Sequence, residues 1–561
     1  MLRLRACLTA LALVASTTAM VVGPDRWAAA APTGVPPVLA RTSKTVTADP
    51  LPTAQINGVV YAQAVAKGVV FAGGSFSSAR PAGAAPGVNE VVRSNLLAYD
   101  LKSGRLKSFA PAVNGQVKAL ALSSDGKTLF VAGNFTKVGK STRDRFAAFS
   151  VSSGKLTSLA PSFNSTVNAL ATTGSTLYAG GSFSTVSGNA RLRLAAVSVT
   201  KKKLTGWRPA ADATVQALVL TPDKKAVVVG GSFAKLNASS AAGMGLLNAK
   251  DGKSKRWKIN GVVRNYGQKA AVLSLVADKD TIYGSTFAYG GGNFEGVFAA
   301  SPKDGAVRWL QDCHGDTYSV APVGDLVYSV GHAHYCANIG GFPETDPQTN
   351  YRALVVTKSA RGTVAPNGQL GAHYGDFTGQ PAPSLVNWFP YLQVGTYTGK
   401  VQAAWSITAA QGYLLLGGEF LSADGLPQQG LVRFALPSVA PRAQGPVLQD
   451  KAFTPTATVA SSDSVTVTWP GNYDRDDLAL GYEVLRNDVV VGTIAAKTPF
   501  WETGQLSYDD HGLVLGNTYT YRIRVKDGDG NAVLSPEAKI LLTAPPSATP
   551  TPSAGPATPA R

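Results

Sequence analysis

The sequence is poor in reactive side chains. Its 561 residues include only five histidines, three methionines and three cysteines, and charged residues make up 15%. It contains no His-Glu-Xaa-Xaa-His zinc motif and no Gly-Xaa-Ser-Xaa-Gly nucleophile elbow, so two familiar hydrolase signatures are excluded. After residue 22 there is no apolar run long enough to span a bilayer. Acidic residues are also short, 34 against 52 basic, giving a formal charge of +18. That excess attracts polyanions such as wall polymers and acidic polysaccharides. The basic residues are scattered, with 201–203 the only dense run, which argues against nucleic acid.

What is abundant is glycine (59), proline (34) and short aliphatic runs. This composition predicts an all-β fold with many tight turns, on a chain long enough for more than one domain. The N-terminus reads as a signal peptide over 1–31, with Arg3 and Arg5 before an apolar stretch at 6–22 and Ala-Xaa-Ala sites near 28–31. The protein is therefore expected outside the cell, free or held at the wall. Cys7 would leave with the leader. Cys313 and Cys336 remain, and in an oxidising compartment they read as one disulfide rather than two metal-binding thiolates.

One motif recurs: an apolar run, two small residues, a polar residue, then Phe. It ends at Phe76, Phe135, Phe183, Phe233, Phe287 and Phe420, and a degenerate copy ends at His334. A period of about fifty residues built from short strands is the mark of a β-propeller. Here the paired glycines let blades approach and the Phe fills the gap, so Ser75, Ser182 and Ser232 read as structural. The last unit lacks a fourth strand, and a segment at 48–57 resembles one. The N-terminal strand is thus expected to complete the last blade and close a seven-bladed ring over 48–437.

These Gly-Gly-Ser-Phe units resemble the secreted bacterial propellers built of delta-sixty repeats, over roughly residues 50–440. The resemblance implies the fold and brings no agreed activity. After a linker at 438–450, residues 451–543 look like a fibronectin type III domain, an immunoglobulin-like β-sandwich, with Trp469, Leu515, Tyr519 and Tyr521 at its core and tyrosine-corner positions. The tail at 544–561 is almost entirely Pro, Thr, Ser and Ala and reads as extended.

The stretch 312–346 departs from the repeat. It holds three of the histidines and both remaining cysteines. Aligning 328–334 with 227–233 places His332 on the second motif glycine and His334 on the Phe, while His314 falls on Asn114. Two chemistries follow. In one, His314, Asp316, His332 and His334 hold a divalent metal. In the other, Asp316, Glu344, Asp346 or Asp376 supply paired carboxylates for glycosyl cleavage. His314, His332, His334, His373, Trp388, Tyr391 and Trp405 are the candidate ligand-binding residues, the aromatics as sugar platforms. The leading expectation is a binding or scaffold protein for cell-wall or other polysaccharide, or for a surface protein, needing no cofactor. The alternative is a secreted hydrolase acting on glycosyl bonds or through a metal.

Overall fold

The computed structural model describes residues 34–368 and 374–545. The signal-peptide reading, His373 and residues 546–561 of the tail lie outside them. Among the described residues the chain is all-β, apart from a few short 3-10 turns, and no helix is long and apolar enough to cross a membrane.

The repeat folds as successive antiparallel sheets. Each inner strand turns back on a second strand, which pairs with a third. In the first sheet these are Val59–Ala66, Val69–Ser75 and Leu96–Asp100. Inner strands then follow at Val117–Leu122, Val167–Thr172, Val215–Leu220, Ala270–Ala277, Thr317–Val323 and Ala404–Ala410. Each inner strand packs on the next, and the last packs back on the first, as in a β-propeller. The motif residues Phe76, Phe135, Phe183, Phe233 and Phe420 are all buried. This is the expected knob, filling the space left by the glycines.

The N-terminal segment takes the outer edge of the last sheet. Thr47 and Leu51 donate backbone hydrogen bonds to Ala435 and Arg433 at 3.0 and 2.8 Å. Upstream, Leu39 bridges Val386 in parallel, so the chain first runs as a strap along the preceding sheet. An edge that would otherwise present unpaired amides is thereby covered.

The C-terminal unit has two sheets. One contains Thr456–Ser461, Ser464–Pro470 and Gln505–Asp510, and the other centres on Ala479–Arg486 and Thr518–Lys526. Trp469, Tyr482 and Tyr521 are buried between them. Tyr519 accepts the Val514 N–H at 2.8 Å on its hydroxyl. The expected core position of Leu515 is not occupied: Leu515 lies in the turn before Thr518–Lys526 and is 51% exposed, and Leu513 is buried instead.

Candidate functional site

The sheet carrying 312–346 is pinned at one end. Cys313 and Cys336 form a disulfide with a Cα–Cα separation of 4.3 Å. It joins the approach to the inner strand to the exit from the second strand of the same sheet, as the sequence led us to expect. Between them, His314 N–H donates to Tyr335 O at 2.8 Å, and His334 N–H donates to His314 O at 2.8 Å.

The register of this sheet corrects the alignment of its histidines. Thr317 pairs with Gly331, as Val215 pairs with Gly231 and Val117 with Gly133. Gly331 is therefore the second motif glycine, His332 stands at the Ser232 position, and buried Ala333 takes the Phe position. The physical reason lies in the backbone. A Cβ at Gly133, Gly181, Gly231 or Gly331 would sit 2.0–2.2 Å from a carbonyl oxygen of the inner strand. The first glycine faces only side chains of the next sheet, so Ala132 and Val330 can replace it. The second position holds glycine in six of the seven sheets, with Thr286 in the fifth, and a one-residue slip misassigns both histidines.

The histidines enter a buried polar network rather than a metal shell. His314 is fully buried and stacks on Tyr374, with ring centroids 3.6 Å apart, and its Nε2 is 3.1 Å from Asn367 Nδ2. His334 Nδ1 lies 2.5 Å from Glu344 Oε2. His332 Nδ1 lies 3.2 Å from the Tyr318 hydroxyl. Burial first, then Arg352 and His334, lower its pKa to about 4, which holds the ring neutral. The expected metal set is not gathered. Among the described residues, the only acidic, His or Cys group whose ligand atoms converge is Asp474, Asp476 and Asp477.

Asp316 does find a carboxyl partner, but not one the sequence singled out. Glu295 is close enough to couple with it electrostatically, and the Glu295 carboxyl accepts the N–H of Gly315 and Ala288 at 2.7 and 3.1 Å. Burial, then Asp316, push Glu295 up to about 7, and burial also raises Asp316. The other candidates are dispersed. Glu344 holds His334, Asp346 is exposed, and Asp376 is exposed and caps Thr378.

Asp312 gives a pH test of this network. Burial pushes it up to about 8 against the 2.7 Å hydrogen bond from Asn338, with Asp376 and Glu295 adding to the rise. The folded state therefore binds this proton more tightly than the unfolded chain. Its stabilisation is complete below about pH 4 and lost as pH rises through about 8. Asp312→Asn should raise the melting temperature relative to wild type at pH 9 and lose that advantage at pH 5. Parallel profiles for the two proteins would contradict the assignment.

Of the aromatic candidates, Trp388 is not a platform. It is 1% exposed and packs edge-on against Tyr328 and Phe434. Its neighbour Phe389 lies 3.4 Å from Phe500, docking the C-terminal unit. Tyr391 is 59% exposed and lines a cavity of about 530 Å³ at that junction, with Tyr351, Phe389, Tyr473, Arg352 and Arg475.

Trp405 belongs to a feature not foreseen from the sequence. The inner strand of every sheet is bulged at one register, leaving Tyr61, Lys118, Asn168, Gln216, Leu273, Tyr318 and Trp405 unpaired. A bulge re-aims its residue out of the ladder. All are half-buried, and several meet across sheet boundaries. Trp405 lies 4.3 Å from Tyr318 and 6.0 Å from Tyr61, and Lys118 Nζ is 3.4 Å from the Tyr61 ring centre. Burial lowers Lys118 to about 8 and, with Glu419, raises Tyr61 to about 12. Trp405 is fixed by a 3.0 Å hydrogen bond from Nε1 to Glu419, which also accepts from Thr398. Arg352 donates to Gln402 at 2.8 Å and also lines the junction cavity. The signal was present in the repeat: one column near the start of each inner strand reads Tyr, Lys, Asn, Gln, Leu, Tyr, Trp.

Comparison with known proteins supports a β-propeller. A model of the Rax2 C-terminal β-propeller domain matches residues 96–210, well under half the chain. No curated protein matches the chain. Similar solved structures include U3-55K, at 12% identity and TM-score 0.42, covering 70% of this chain and all of that one. The β-propeller domain of Cps50 (Swd1) from Myceliophteria thermophila matches at 9% identity and TM-score 0.39, covering 70% of this chain and 99% of that one. A chain of the mitotic checkpoint complex matches at 13% and 0.38, covering 73% and 97%. Likeness at these scores adds nothing about function.

Proposed function

We propose that this is a secreted seven-bladed propeller with a C-terminal fibronectin type III-like sandwich, spanning 48–437 and 451–543, that binds acidic polysaccharide at the cell surface. The observation carrying the binding reading is the aromatic arc Tyr61–Trp405–Tyr318, flanked by Lys118, with Arg352 held on Gln402 three residues before Trp405. Half-buried rings offer apolar faces to sugar rings at low conformational cost. A guanidinium and an ammonium beside them pair with uronate or phosphate groups. Trp405 is held in place before any ligand arrives, which lowers the ordering cost of binding. The net charge of +18 favours an anionic polymer. The buried Cys313–Cys336 disulfide is consistent with an oxidising, extracellular setting.

A glycan array tests this reading. Wild type should retain acidic glycans, and Trp405→Ala should weaken them by roughly tenfold to a hundredfold, as for a central aromatic anchor. Retention of no glycan, or equal retention by a folded variant, would remove the arc as a saccharide site. Arg352→Gln should reduce selectivity for acidic over neutral glycans; unchanged selectivity would remove that arginine's role.

A further inference from the structure

The loop entering Ala479–Arg486, the first strand in chain order of the C-terminal unit's larger sheet, brings three carboxylates together. Asp474 Oδ1 accepts the N–H groups of Asp476 and Asp477 at 2.9 and 3.0 Å. This turn gathers the side chains of all three, and one ligand atom from each lies within 4.8 Å of the others. Asp474 is fully buried, and its second oxygen, Oδ2, has no hydrogen-bond partner. A buried carboxylate oxygen left bare costs free energy that a partner would recover.

The neighbouring guanidinium does not supply that partner. Arg41 donates to both oxygens of Asp477, at 3.2 and 2.9 Å, and to Asp529, and comes only within 3.9 Å of Asp476. Its donors are directed to Asp477 and Asp529, with none to Asp474. The guanidinium therefore serves Asp477 and Asp529 and leaves Asp474 Oδ2 without a donor.

We propose that Asp474, Asp476 and Asp477 bind a divalent cation, Ca²⁺, at the junction between the propeller and the C-terminal unit. An all-oxygen set with no nitrogen or sulfur selects a hard ion. Calcium tolerates irregular oxygen shells completed by water, whereas magnesium demands near-octahedral geometry. The position gives the ion a structural consequence. Ala48 N–H donates to Asp476 Oδ2 at 2.8 Å, and Asn387 Nδ2 donates to Asp474 O at 3.2 Å. The strap leading to the ring-closing strand and the connection into the last sheet therefore both end on this loop. A bound ion fixes the C-terminal unit to the ring's closure.

The test uses the full chain, stripped with chelator and titrated calorimetrically with CaCl₂, then with MgCl₂. We expect one Ca²⁺ per chain, weaker Mg²⁺, and a melting transition that moves upward as calcium exceeds its dissociation constant. Asp474→Asn should reduce calcium affinity at least tenfold. Asp477→Asn, at a less buried position, should also weaken it and keeps the test valid if Asp474→Asn fails to fold. No binding heat and no melting shift in wild type at millimolar calcium would overturn the proposal. Full calcium affinity in a folded Asp477→Asn or Asp474→Asn chain would do the same.

Discussion

Arg433→Met should destabilise the propeller by about 4 kcal/mol, because four acceptor groups, two of them fully buried, lose their charged donor at once. Arg433 is 2% exposed. Its guanidinium donates to Thr53 Oγ1 at 3.1 Å, to Leu101 O at 2.7 Å, to Lys102 O at 2.8 Å and to Pro52 O at 2.5 Å. Its own backbone pairs with Leu51. One side chain thus ties the last sheet to the N-terminal strand and to the third-strand turn of the first sheet. Methionine keeps apolar volume but no donor, so the effect is not one of size. Chemical denaturation should show a lower midpoint, and limited proteolysis should cut first near residues 45–57. A midpoint within 1 kcal/mol of wild type, a threshold for a minor surface effect, would show that closure does not depend on this clasp.

Cys313→Ser together with Cys336→Ser should cost about 3 kcal/mol, the model-dependent value for closing a loop of this length. The cysteines are 23 residues apart and buried. The loss should be local first. His314 and Tyr335 pack together within the segment the disulfide closes, and Tyr374 stacks on His314 from outside it. Hydrogen exchange should therefore rise in 312–346 before it rises in the repeats at 117–231. Uniform exchange across both regions would mean that the disulfide stabilises the whole propeller rather than this one sheet.

The architecture was legible because it is written as a period. Motif phenylalanines at fixed spacing marked the second strands, and the missing fourth strand of the last unit pointed to 48–57, which pairs at Leu51. The cysteine pair could be placed because both connections open at one end of a sheet. The site was less legible for three physical reasons. His332 and His334 were shifted by one position, because a motif with a single glycine gives no clue to which glycine the inner-strand carbonyl forbids a side chain. Glu295, which meets Asp316, lies in the preceding sheet, and that contact depends on blade packing. Trp388 and Trp405 look alike as aromatics in a departure from the repeat. Only the strand register separates them: Trp405 is a bulge residue held by Glu419, and Trp388 sits in the core between Tyr328 and Phe434.

The central claim is that the bulge residues of the inner strands form the binding surface. Isothermal titration of a purified oligouronate into wild type, Trp405→Ala and a Tyr391→Ala control tests it most directly. The account predicts saturable binding to wild type, loss of at least tenfold in affinity with Trp405→Ala at unchanged melting temperature, and a smaller loss with Tyr391→Ala. Equal binding by wild type and Trp405→Ala, with the larger loss at Tyr391, would contradict it and move the site to the junction cavity.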